Sequence, residues 1–314
     1  MTLAGFALVF VVCVWTLSAL GGVALAMFGS QIAGIGPLFE RRLATLVAVV
    51  PPVLALAVTS ALIVHSALGV DHCAVHDHHA HLCLTHGTRW LALPTAVAAL
   101  SVAGVTVLAR GLFVGLALVR GRRSIRLLHA ASIAVDGIRL VSSDRAFCFV
   151  AGSAPAIYVS TRVWSTLSSE QRAALVAHET AHIEHGDLRI RLWMEMWLLF
   201  AAPLVGERTR SSWLAASERL CDAHAAQESS PEAVASTMVS LFRLETTRPA
   251  GSFGLTPSQT ELGERVEAVL AAHPLGNRVA TLAGRLALIT CVALIAAAAI
   301  VAEPLHHAFE TLLG

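Results

Sequence analysis

The chain has 314 residues, 56% hydrophobic and 14% charged, with a formal net charge of +1. A mean hydropathy of +0.69 belongs to a membrane protein and excludes an ordinary water-soluble globule. The near-zero charge excludes direct nucleic-acid binding through bulk electrostatics, and the six cysteines are too scattered for a secreted disulfide framework.

In chain order, residues 3–28 are apolar and long enough to span a bilayer. They lack the basic start of a secretory signal and exceed its apolar length, so a retained span with its amino end outside is expected. A short loop over 29–42 ends in Glu40-Arg41-Arg42, and a second span follows over 43–68, where Pro51-Pro52 should kink the helix. The hydrophilic loop 69–89 holds His72, Cys73, His76, His78, His79, His81, Cys83 and His86. Such a tract binds zinc or copper ions, or is pinned by a Cys73–Cys83 disulfide if it faces an oxidising compartment; the sequence leaves both open. A third span covers 90–119, with Arg110 expected to snorkel from near one end.

A basic cluster, Arg120, Arg122, Arg123 and Arg126, opens a polar middle that continues to about residue 280. A fourth span over 282–302 follows Arg278, and the chain ends EPLHHAFETLLG. Arginine placement sets the orientation. Arg41 and Arg42 mark the first loop as cytoplasmic, and Arg89 alone leaves the second outside. The Arg120–Arg126 cluster and Arg278 put the middle inside. The expected domains are a three-span region over 1–119, a cytoplasmic domain over 120–280, and a fourth span with a short outer tail over 281–314.

Within the middle, residues 133–141 and 146–150 read as short strands. Ala156–Ser160 reads as an edge strand able to hold a peptide by backbone pairing, or as simple core packing. Next comes QRAALVAHETAHIEH, opened by the capping-type Ser168-Ser169-Glu170-Gln171 and free of Gly and Pro up to Gly186. On that helix His178 and His182 are one turn apart on one face and can hold one Zn²⁺, with Glu179 placed to activate a water. A metzincin third ligand fails, because position 188 is Leu188. Glu218 is the better candidate, on a second helix over SSWLAASERLCDAHAAQ and 36 residues after His182. Asp222, one turn on, would orient a ligand histidine by accepting its free N–H. His185 reads as a surface or supporting residue and Cys221 as a small buried one. Candidates for the oxyanion donor are Tyr158, Arg219 and His224.

Between these helices, Leu192–Val205 is strongly apolar but too short to span, so it should pack on the membrane face or across the catalytic helices. A helix and then a Pro/Gly/Ser/Thr-rich surface loop, TTRPAGSFGLTPSQTELGER, complete the middle. The expected fold is a mainly α integral membrane protein. Four transmembrane helices carry a gluzincin-like α+β zinc peptidase domain inserted between spans three and four.

The spans, AHETAHIEHGD, then ERLCDAHA and a closing span together resemble the BlaR/MecR-type antirepressor metallopeptidases over nearly the whole chain. The heat-shock and CAAX-processing membrane peptidases share both motifs in a different arrangement of spans. The resemblance implies His178, His182 and Glu218 as zinc ligands, Glu179 as general base and then acid, and Asp222 as the residue behind the ligands. It implies a bacterial cytoplasmic membrane protein that takes a signal outside and cleaves itself, or a winged-helix repressor partner, inside. The β-lactam sensors of that family carry a penicillin-binding domain after the fourth span, where this sequence has only EPLHHAFETLLG. The outer His/Cys loop, with His306 and His307, is then the expected sensor. The alternatives are a membrane quality-control peptidase and a non-proteolytic metal sensor.

Overall fold

The computed structural model describes residues 2–67, 94–246 and 259–271. The His/Cys loop, the fourth apolar segment and the tail lie outside the described residues.

Three helices open the chain: α1 (Thr2–Ile35), α2 (Pro37–Ala67) and α3 (Pro94–Ala131). Each contains a stretch long and apolar enough to cross a membrane, Ala4–Gly29, Pro37–Val64 and Ala96–Ala131. The loop expected over 29–42 is instead a single break at Gly36, whose φ of +132° only glycine adopts easily. Pro37 then starts α2, where its fixed φ and missing N–H suit a helix start. The helix continues through Pro51 and Pro52. Gly21 lets α1 close on α2, since a Cβ there would lie 2.8 Å from Val47. Phe6 and Val9 pack on Leu62 further along the pair. The arginines from Arg120 to Arg126 ride on α3 itself. Along α3, Val105, Leu108, Leu112 and Phe113 are exposed, as a lipid-facing helix requires.

A four-stranded sheet follows: β1 (Ser132–Val135), β2 (Ile138–Val141), β3 (Cys148–Ala151) and β4 (Ala156–Ser160). Asp136 and Gly137, with φ of 47° and 82°, make the two-residue turn that suits the twist of a β1–β2 hairpin. The sheet order is β1-β2-β4-β3, with β2 and β4 parallel and the other pairs antiparallel. The expectation that Ala156–Ser160 forms an edge is therefore corrected. That strand is internal because it pairs with β2 on one side and β3 on the other, and both its faces are covered. Ile157 and Val159 face the helices that follow, and Tyr158 faces Ile125 and Leu128 of α3. The sheet's edges are β1 and β3.

Six helices complete the fold: α4 (Thr161–Thr166), α5 (Ser169–Glu184), α6 (Asp187–Leu198), α7 (Pro203–Glu228), α8 (Pro231–Thr246) and α9 (Gln259–Leu270). Ser168 caps α5, and Gln171 returns the bond in a full capping box. Gly186, left-handed at φ 67°, ends one helix and starts the next. The apolar run from Leu192 to Val205 is not one helix: α6 ends at Leu198, and Pro203 opens α7. Met194, Leu198, Ala201 and Trp213 of this hairpin pack on Ala44 and Ala48 of α2. Ala174, Ala225, Val234 and Val269 join α5, α7, α8 and α9 in a second core. Part of the expected surface loop, from Gln259 onward, is helix α9, whose Val269 anchors it there.

Candidate metal centre

The four-residue spacing on α5 sets the His178 and His182 rings 4.9 Å apart, nearly perpendicular. From α7, Glu218 reaches between them: its oxygens lie 3.7 Å from His178 Nε2 and 3.6 Å from His182 Nε2. These separations are too long for hydrogen bonds. They suit a shared ion, because tetrahedral zinc with bonds of about 2.0–2.1 Å sets its ligands ~3.3 Å apart. One ligand atom from each residue lies within 4.8 Å of the others. The donor set, two imidazoles and a carboxylate, fits zinc and leaves a fourth position open. That position faces a cavity of about 220 Å³ lined by Phe147 and Cys148 at the β3 edge, Glu179, Phe242 and Arg265.

The histidines are oriented from behind. His178 Nδ1 donates to Asp222 Oδ1 at 2.9 Å, as the sequence suggested. Asp222 is 1% exposed. Arg265 of α9 clamps it through two 2.8 Å bonds and also reaches Glu218 at 3.1 Å. His182 Nδ1 donates to Asp187 Oδ2 at 2.7 Å. Asp187 is held by Arg41 of α2 at 2.5 Å, and Arg41 also donates to the His185 carbonyl at 2.9 Å and lies over Trp213. Beside it, Glu40 takes Ser212 at 3.3 Å and pairs with Arg219. The arginine that marks the end of a span thus also fixes the partner of a candidate ligand.

Asp187, Arg265 and Arg41 were missed in the sequence. Asp187 had a signal: the left-handed Gly186 turns the chain back, so the next residue faces the preceding helix. Arg265 had none, being 43 residues from Asp222 on another helix.

The charges respond to this packing. Burial opposes a charge on His178, but the bond and charge of Asp222, with Glu218 and Glu179, outweigh it and raise its pKa to about 9. Burial raises the Glu179 carboxyl, opposed by His178 and His182. Burial likewise raises the Cys221 thiol, with Asp187, Glu218 and Asp222 adding to the effect. His182, Asp187 and Cys221 form a second close group, but it uses the Nδ1 edge already tied to Asp187, and its thiol stays neutral.

A metal must displace the His178 proton, so metal affinity is expected to rise about tenfold per pH unit toward pH 9. Titration calorimetry in buffers of different ionisation enthalpy should count that released proton, and Asp222→Asn should shrink it. The same shift stabilises the metal-free fold below pH 6.5, the ordinary imidazole value, and that contribution is lost as the pH rises to about 9.

None of the three oxyanion candidates lines the cavity. Tyr158 is buried against the other face of the sheet, its hydroxyl 3.0 Å from His129 Nδ1 and its ring stacked on Phe149. Arg219 is committed to Glu40. His224 meets His185 edge-on and lies 3.6 Å from Glu184. The α5–α7 packing turns Glu218 and Asp222 toward the cavity and leaves Arg219 and His224 outside it, while Tyr158 faces α3 on the other side of the sheet. Among the described residues Arg265 is the cation that borders the cavity. The outer-loop candidates His72, Cys73, His76, His78, His79, His81, Cys83 and His86 lie outside the described residues.

The model of Peptidase family M48 matches residues 126–286, from the end of α3 past α9. No curated protein and no solved structure gives a match. His178, His182 and Glu218, which could hold a metal ion, lie inside the matched region, after three helices long and apolar enough to cross a membrane. With just over half its length matched, the chain belongs to Peptidase family M48 and is a membrane-associated metallopeptidase.

Proposed function

We propose that the protein is a membrane-embedded zinc endopeptidase of the antirepressor type, which relays an external signal by cleaving itself or a cytoplasmic winged-helix repressor. The carrying observation is the convergence of His178, His182 and Glu218, with His178, Glu218 and the neighbouring Glu179 lining one cavity. His178, His182 and Glu218 would hold the zinc. Zinc held there supplies Lewis-acid polarisation of a scissile carbonyl and lowers the pKa of a water toward ~7. Glu179 takes the proton of the attacking water and passes it to the leaving amine. Asp222 and Asp187 keep both imidazoles oriented through their Nδ1 atoms. The open β3 edge at Cys148 gives an extended peptide a partner for backbone pairing.

Arginine placement and the apolar 282–302 segment support four spans, a domain on the cytoplasmic side and a bacterial inner-membrane location. A second reading, membrane quality control, is favoured by the bolting of the site to the start of α2 through Arg41 and Glu40. That brings the chemistry to the membrane surface, where damaged membrane proteins lie.

The test is cleavage by the full chain in lipid nanodiscs with one equivalent of zinc, read as new peptide termini by mass spectrometry. Chelator-sensitive cuts in the chain itself, or in a winged-helix repressor encoded beside it, support the antirepressor reading. Cuts confined to unfolded membrane proteins transfer the function to quality control. Stoichiometric zinc with no cleavage of any kind leaves a metal sensor.

A further inference from the structure

Arg110 is the lone charged residue of α3 between Pro94 and Val119. The sequence suggested that it snorkels; in the structure it turns to protein carbonyls instead. Its Nη1 donates to the carbonyls of Leu198 at 3.1 Å and Ala201 at 2.5 Å, at the end of α6. At bilayer depth an unpaired cation is costly, and so are helix-end carbonyls with weak or no donors; Leu198 O has only the 3.3 Å bond from Ala201 N–H beside that of Arg110. Together they satisfy each other, and the negative end of the helix dipole adds to the attraction.

The rest of the hairpin packs along α1 and α2. Val205 fills a notch in α1 that requires Gly22, where a Cβ would come within 2.7 Å of it. Phe200 meets Phe10 of α1 edge to face at 5.8 Å. Met194, Leu198 and Ala201 pack on Ala44 and Ala48 of α2. All of these contacts fall within the apolar stretches of α1 and α2. Within the hairpin Arg210 forks Glu195 at 2.6 and 2.7 Å, and the exposed Arg189 and Arg191 sit at the beginning of α6, nearest the metal centre. The outer face of α6 is a stripe of exposed Leu188, Leu192, Trp193 and Met196.

We propose that α6 and the start of α7 form a re-entrant hairpin. It enters the acyl layer from the side bearing the metal centre, is seated by Arg110, and turns back without crossing. The twelve residues of α6 span about 18 Å, short of the ~30 Å hydrocarbon core. The exposed Glu207 and Arg208 on the return limb set the depth, reaching back toward the headgroups. Both limbs lead to the metal centre, since α6 begins with Asp187 and α7 carries Glu218. The bilayer therefore braces the two elements that complete it. The proposal rests on the membrane-embedded reading above, but its test does not read peptidase activity, so the two can fail separately.

The experiment uses the full chain in nanodiscs containing a phosphatidylcholine with a diazirine at its acyl terminus, together with hydroxyl-radical footprinting. Carbene adducts on peptides covering Leu188–Ala202, with Trp193 and Met196 protected from oxidation, are expected. Oxidation of Trp193 and Met196 without carbene adducts overturns the proposal. In vesicles, labelling of an Ala202→Cys variant by an impermeant maleimide from the face opposite the metal centre also overturns it, because the hairpin then crosses. Arg110→Leu should remove the protection of Trp193 and Met196 while leaving adducts on α1 and α2; unchanged protection refutes the seating role of Arg110.

Discussion

Glu179→Gln is expected to lower peptide hydrolysis by at least about 10³-fold while leaving metal content unchanged. The two outcomes separate because Glu179 is not among the converging ligand atoms; it lines the cavity beside them. The amide keeps the shape of the side chain and removes its ability to accept a proton. Glu179 is 7% exposed, and burial raises its carboxyl pKa, with His178 and His182 opposing. As a base it must be ionised, so wild-type activity should fall on acidification at a pH above the ordinary carboxylate range. The variant's residual rate should lack that acid limb. The measurements are metal analysis of the purified protein and turnover of a cleaved peptide across pH. Full cleavage in a clean Glu179→Gln preparation would sink the general-base role, and loss of metal would assign Glu179 to the ligands.

The parts legible in the sequence were those written into one stretch of chain. The capping box at Ser168, the four-residue histidine spacing and the glycine stop at Gly186 all act within α5. Glu218 and Asp222 were legible as a pair because one turn of helix separates them. What could not be read depends on pieces distant in sequence. Ala156–Ser160 resembles an edge strand because it is short, yet it pairs with β2 and β3, strands that come from elsewhere in the chain. Arg219 and His224 sit beside Glu218 and Asp222 in sequence, but nearness in sequence does not choose which helix face meets the cavity, and Tyr158, the chain's single tyrosine, faces α3. Arg110 read as a charge escaping the membrane because its partners, two carbonyls at a helix end, carry no residue signature. The sequence resemblance to antirepressors rests on span order, whereas the M48 match covers only 126–286, so it bears on the peptidase domain and not on the signal.

Arg265→Met should have the largest effect on the fold among substitutions outside the ligands and the base. Asp222 is buried to 1% exposure, and its carboxyl is lowered despite the opposing effect of burial because His178 and Arg265 hold its charge. Removing the guanidinium strands half of that compensation, a loss of about 3 kcal/mol or more for a buried pair broken on one side. The same change releases Glu218, which Arg265 holds at 3.1 Å. Metal affinity should therefore fall together with stability. A purely structural role for Arg265 would lower the denaturation midpoint and leave the metal affinity of the remaining folded protein unchanged. Asp222→Asn in the Arg265→Met background separates the two contributions. It removes the stranded charge, so stability should recover in part. Metal affinity should not recover, because the neutral amide is a weaker acceptor for His178 than the carboxylate, and Glu218 stays unclamped. Recovery of both would show that Arg265 serves Asp222 alone and has no hold on the metal ligands.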